Sequence, residues 1–133
     1  MIQCFKIKQR QLWLEHILVE HNGLPIFYIC TDSEVQRYVV LLADQDTSTY
    51  IITEVSTEDI IALLEQRLTM KELVLSNSHC WEVLANDDTE DFNKDVIKRI
   101  STKKIPKKWL PIEDSYLGTL CPSDVEYLKA LST

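Results

Sequence analysis

The sequence predicts an α+β fold: an antiparallel β-meander of about four to five strands with helices packed mainly on one face. Three observations predict it. Between residues 16 and 55, segments rich in strand-forming residues alternate with short turn signals. At Ser56 the apolar period changes from two to that of a helix. After two helical segments one more strand-like run, "HCWEVLA", precedes an irregular and helical tail.

The elements follow in order. "HILVEH" (16–21) is a strand, and Asn22-Gly23 is a tight hairpin turn. "LPIFYICT" (24–31) is β-branched and aromatic, and "DSE" (32–34) is a second turn. "QRYVVLLA" (36–43) and "STYIITEV" (48–55) flank the polar loop "DQDT". Alternation puts Ile51, Thr53 and Val55 on one side and Tyr50, Ile52 and Glu54 on the other. The neighbouring strand is apolar on both sides, as expected of a covered central strand.

"STEDIIALLEQRL" (56–68) carries Ile60, Ile61, Leu63, Leu64 and Leu68 on one helical stripe. Ser56 or Thr57 supplies its N-cap, and Glu58 and Asp59 suit the positive end of the helix. Thr69-x-x-Glu72 is a capping box that opens a second, short helix. "NDDTEDFNKDVIKRI" begins as an acidic loop, and Phe92, Val96 and Ile100 at i, i+4, i+8 predict a helix. "IPKKWLP", held between Pro106 and Pro111, is expected to be extended. Ser123-x-x-Glu126 predicts a C-terminal helix over about 123–131, with Val125, Leu128 and Leu131 facing inward. Residues 1–133 are read as a single domain: a core over about 12–85, a basic, proline-punctuated extension over about 86–122, and that helix.

The middle of the chain, "RYVVLLADQDTSTYIITEVSTEDIIALLEQRLTMKEL", resembles a bacterial domain family of uncharacterised function. Family members have a strand, an acidic turn, a second strand ending near Val-Ser, and a capped helix. The resemblance covers roughly residues 16 to 120 and takes in the proline-acidic "LPIEDSYLG". It departs at the turn after the helix, where the family has Gly and this chain has Gln66-Arg67. The resemblance implies a fold and brings no catalytic motif.

Composition narrows the class. Apolar residues make up 45% and charged residues 26%, the balance of a chain that folds around a core. Cys4, Cys30, Cys80 and Cys121 are far apart, with no C-x-x-C pair. "MIQCFKIKQRQLWLEH" has no apolar leader. Together these predict reduced thiols and a cytoplasmic location. No apolar run approaches the roughly 20 residues of a membrane-spanning helix.

The net charge of −7 is unevenly spread. Residues 11–91 hold sixteen acids against three bases (Arg37, Arg67 and Lys71). Residues 94–108 hold seven bases against one acid, Asp95. Such an acidic body can steer a basic protein partner into contact. The expected function is therefore a non-enzymatic protein-binding domain, an accessory or inhibitory, immunity-type subunit. Its contact residues are Asp44 and Asp46 on the hairpin and Asp87, Asp88, Glu90 and Asp91 on the later loop. The alternative is a nucleic-acid module using Lys94, Lys98, Arg99, Lys103, Lys104, Lys107 and Lys108 with Trp109, since such proteins join cations to stacking aromatics. An enzyme is the third reading.

Neither a metal nor a cofactor is expected. Asp44-x-Asp46-x-Ser48 starts like a calcium loop, but Thr49 stands where Gly is needed and Val55 where a bidentate Glu is needed. The plainer reading is a turn whose Asp side chains accept from nearby backbone N–H groups. In His79-Cys80-Trp81, strand neighbours point to opposite faces, so His79 cannot serve as the base for Cys80. Cys80 is read as core. Gly-rich phosphate loops, G-x-S-x-G and H-E-x-x-H are all absent from the sequence.

Overall fold

A computed structural model describes residues 2–85, 95–112 and 115–133. Seven antiparallel strands form one sheet in chain order: β1 (Gln3–Ile7), β2 (Arg10–His21), β3 (Leu24–Thr31), β4 (Arg37–Asp44), β5 (Thr49–Val55), β6 (His79–Leu84) and β7 (Val96–Ser101). Helices α1 (Thr57–Leu64) and α2 (Met70–Val74) lie between β5 and β6, and α3 (Pro122–Leu131) ends the chain. The α+β class stands, with helices on one face, but the described residues form seven strands where four to five are expected.

Two differences account for the extra strands. β1 and the first half of β2 lie in the segment read only for a leader. Phe5 and Ile7 alternate with Lys6 and point inward. β7 occupies the stretch expected to be helical. Residues four and eight apart share a strand face as well as a helix face, so the spacing of Val96 and Ile100 fits both. The β-branched content of "VIKRIS" and its full register with β6, from Leu84↔Val96 to His79↔Ser101, settle it as strand. Phe92 lies outside the described residues.

The sheet has a core on each face. On the helix side, Phe27, Ile29, Val39, Leu41, Ile51 and Val55 pack under Ile60, Leu63, Leu64, Leu73 and Val74. Thr53, also on this face, donates its hydroxyl to Val74 O at 2.8 Å and ties β5 to the end of α2. Ile105 and Leu117 are buried in the same core, so the proline-punctuated segment packs against the body. It is not wholly extended: residues 102–104 and 107–109 are short 3-10 turns.

On the other face no helix is needed. Phe5, Ile7, Leu12, Tyr28, Cys30, Tyr38, Val40, Ile52, Trp81 and Val83 bury one another inside the curl of the sheet. Phe5 on β1 meets Tyr50 on β5 edge-on at 5.1 Å, although three strands lie between them in the sheet. The curl follows from the β2–β3 pair. Its register shifts between Leu14 and His16, between Ile17 and Val19, and between Val19 and Glu20. The extra residue lies in β2 at the first two shifts and in β3 at the third, and each bends the strand that carries it and tightens its twist.

Local capping matches the sequence in most places. Asn22 (φ 51°) and Gly23 (φ 80°) are both left-handed, the pair that a two-residue hairpin of type I′ needs. Ser56 caps α1 by accepting from Asp59 N at 3.1 Å. Thr69 and Glu72 form the reciprocal capping box of α2. α1 stops at Leu64, short of Leu68, because Gln66 turns left-handed (φ 60°). Gln66 N bonds Leu63 O and Arg67 N bonds Ala62 O, a Schellman ending. This is the turn where the resembling family has Gly. Here the Gln66 side chain donates to Leu117 O at 3.0 Å and to Gly118 O at 3.3 Å, ties that Gly cannot supply.

α3 departs from its expected register. Its N-cap is Cys121, with Pro122 in the first turn and Asp124 as the acidic partner, not Ser123 with Glu126. Pro is preorganised for the first helical position, which fixes the start two residues early. Asp124 is thus buried and Val125 is exposed, while Leu128 and Leu131 pack against the core as expected.

If the curl is essential to folding, its first strands matter as much as the central ones. Leu12 is fully buried inside the curl. Leu12→Ala is expected to cost about 2–5 kcal/mol, the range of a core cavity. Urea denaturation measures this; a loss well under about 1 kcal/mol would mean that β1 and β2 are dispensable edges.

Candidate functional site

Two regions concentrate polar side chains on the helix side. The first lies at one end of the sheet. There β2 turns into β3, β4 turns into β5, β6 leaves the sheet and β7 re-enters it. Asp44 ends β4, and its Oδ1 accepts from Asp46 N at 3.0 Å. Asp44 therefore makes the side-chain-to-backbone turn read from the sequence, with Asp46 supplying the N–H. Beside them is a cleft of about 330 Å³ lined by Asp44, Thr47, Glu82, Leu84, Lys98 and Trp109, among others. Leu84 and Val96, paired across β6 and β7, are 44% and 50% exposed there.

The basic segment does not form one surface. Strand alternation sends Lys98 to the helix side, where it shares the cleft with Trp109. Arg99 goes to the opposite face, over the Trp81 ring at 5.8 Å. Lys103, Lys104, Lys107 and Lys108 stand exposed on the two 3-10 turns. Asp87, Asp88, Glu90, Asp91 and Lys94 lie outside the described residues.

The second region joins β2 to α3. The shift after Leu14 places Glu15 and His16, neighbours in sequence, against the same helix. His16 Nε2 lies 2.5 Å from Asp124 Oδ1, and its ring stacks on Tyr127 at 4.3 Å. Tyr127 donates its hydroxyl to Glu15 Oε2. Arg37 bonds the same carboxylate at 2.8 Å and reaches Thr57 at 3.0 Å. Cys121 completes the group, with Sγ and backbone N each 3.2 Å from Asp124 Oδ2. Sequence reading paired His16 with nothing, because its partner is 108 residues away on a helix whose register Pro122 sets.

The order of these contacts decides their chemistry. Asp124 stands between His16 and Cys121, so the imidazole does not face the thiol as a base must. Burial pulls the Asp124 carboxyl upward, but hydrogen bonds from His16 and Cys121 outweigh it and leave it below the usual aspartate range. Burial, together with the Glu15 carboxylate, raises the Tyr127 hydroxyl and keeps it a donor. The cluster is built as a latch holding α3 to the sheet. Cys80 is buried, and burial pushes its thiol up to about 11, in keeping with a core role. Its neighbour His79 is exposed, on the opposite side of the strand.

Comparison with known proteins adds one relationship. The chain is similar to an uncharacterized protein of Clostridium acetobutylicum, 25% identical over 108 residues, which cover 80% of this chain and 11% of that one. The chain thus spans about a tenth of its relative's length. No family model matches the sequence, and no solved structure matches it. The resemblance carried by the middle of the chain is accordingly to bacterial sequence of uncharacterised function. Among the described residues, no helix is long and apolar enough to cross a membrane.

The latch makes a pH prediction. A carboxyl whose folded pKa is depressed stabilises the fold above its unfolded value of about 3.9. That stability is lost as pH falls through the lower folded value. Asp124→Asn is expected to cost about 1–3 kcal/mol at neutral pH, as for a buried hydrogen-bonded group left mismatched. The gap between wild type and variant should close on acidification below about pH 4. Denaturation midpoints across pH test this; a gap independent of pH would show that the carboxylate charge is not what holds α3.

Proposed function

We propose that the protein is a binding domain that docks a basic protein partner at the hairpin end of its sheet. One observation carries this reading. Carboxylates of Asp44 and Glu82 frame a cleft whose walls expose Leu84 and Val96 and include half-buried Trp109. Protein interfaces join a small apolar and aromatic centre to a polar rim in this way. Asp46 extends the acidic rim outward, and the excess of acids over residues 11–91 favours fast encounter with a cationic surface.

The similarity to a small part of a much longer bacterial protein supports an accessory role, since a segment of this kind also occurs within a larger chain. An inhibitory or immunity-type subunit acts in the same way, by occupying a partner's surface. Nucleic-acid contact is the competing reading. Lys98 and Trp109 favour it by sharing the cleft, whereas Asp44 and Glu82 in the same cleft oppose a polyanion.

Capture from native lysate tests both readings if it is run with nuclease and with two variants. Leu84→Glu removes the apolar wall, and Asp44→Lys with Asp46→Lys reverses the rim. A stoichiometric protein partner should survive nuclease. Leu84→Glu should weaken binding by about 30-fold or more, the scale of a central contact. The rim variant should mainly slow association, by about tenfold at low salt. Capture unchanged in both variants would remove this cleft as the site. Loss on nuclease treatment, with sensitivity to Lys103→Glu and Lys107→Glu, would move the function to nucleic acid.

A further inference from the structure

At the far end of the sheet, inside the curl, the chemistry reverses. The β1–β2 turn brings Lys8 and Arg10 over β5, β6 and β7, where they meet Glu54, Trp81 and Arg99. These residues and Ile7 enclose a recess of about 140 Å³. Three cations face one carboxylate there, in a chain whose total charge is −7.

Trp81 forms part of the wall. It lines the recess with its ring, which lies under Arg99 at 5.8 Å. Arg10 is held in place beside it. Its Nη1 donates to Tyr38 Oη at 3.0 Å, and Tyr38 donates in turn to buried Asp32 at 2.8 Å. Asp32 also fixes the β3–β4 turn by accepting from Glu34 N and Gln36 N. In that turn Val35, a β-branched residue, is held left-handed (φ 65°).

We infer that this recess binds a phosphate group in its dianionic form. Arg10 and Arg99 offer planar guanidinium forks and Lys8 a point charge, while the Trp81 ring forms part of the wall. The three cations less Glu54 match the charge of a phosphate monoester or of free phosphate, about −1.5 to −2 at neutral pH. The volume admits one such group. A phosphodiester, with a single charge per phosphate, matches that charge less well.

The Trp81 indole N–H resonance reports on the site, because the ring lines the recess. Trp81→Phe assigns the signal against those of Trp13 and Trp109. Inorganic phosphate at neutral pH should shift it saturably while the other two stay fixed. Lys8→Gln with Arg99→Gln, both exposed positions, should weaken binding by about tenfold or more, the loss of two charge-assisted contacts. The melting temperature in phosphate-free buffer should hold, which separates lost binding from lost folding. Phosphoserine binding as well as inorganic phosphate would place a phosphorylated group in the recess; phosphate binding alone would make the ligand the free anion. A shift reproduced by sodium chloride at equal ionic strength overturns the proposal. So does one undiminished in the double variant, or no saturable shift at all.

Discussion

The bending of β2 is the constraint on which the other features depend. A flat seven-stranded sheet with helices on one side would leave Phe5, Tyr28, Tyr38, Ile52 and Trp81 facing water. Burying them without a second layer of helices requires the sheet to cover its own face. Three shifts in the β2–β3 register provide the bend. The contact of Phe5 with Tyr50 marks how far the first strand is carried over the middle of the sheet. A one-residue slip elsewhere would exchange the two faces, but both are apolar through β3, β4 and β5. Register is thus held less by hydrophobicity than by the turns and the polar ties at strand ends.

The same shifts serve a second purpose. In a regular strand Glu15 and His16 would point to opposite sides, and one of them would enter the apolar interior. The extra residue lets both face α3, where Asp124, Tyr127 and Arg37 satisfy them. Arg37 also reaches Thr57 in the first turn of α1. One cluster therefore joins the bent strand, the start of α1 and the last helix. Without it α3 has only Tyr127, Leu128 and Leu131 against the core, a small apolar face for a ten-residue helix.

Much of this was legible residue by residue. Asn22-Gly23 specifies its turn, Thr69-x-x-Glu72 its capping box, and the alternation around Ile51 its two faces, because each depends on neighbours close in sequence. What was not legible depends on distance or on ambiguous spacing. Val96 and Ile100 share a face in either secondary structure, and pairing with β6 decided between them. Bulges leave no composition signal, so neither the curl nor the placing of Glu15 and His16 could be read. Pro122 was a visible start signal for α3 that Ser123 and Glu126 obscured.

Charge shows the same limit. Along the sequence, residues 94–108 read as one basic stripe, and a stripe suggests a track for a polyanion. A strand cannot present consecutive residues to one side. Lys98 is turned toward the acidic hairpin end, where Glu82 lies directly across the pair of strands. Arg99 is turned into the curl, above Trp81. The strand thus divides its charge between two surfaces of opposite character, one rimmed by aspartates and one by cations. A partner that reads the first surface need not sense the second. Two recognition chemistries can then coexist in a small chain whose net charge alone would suggest only one.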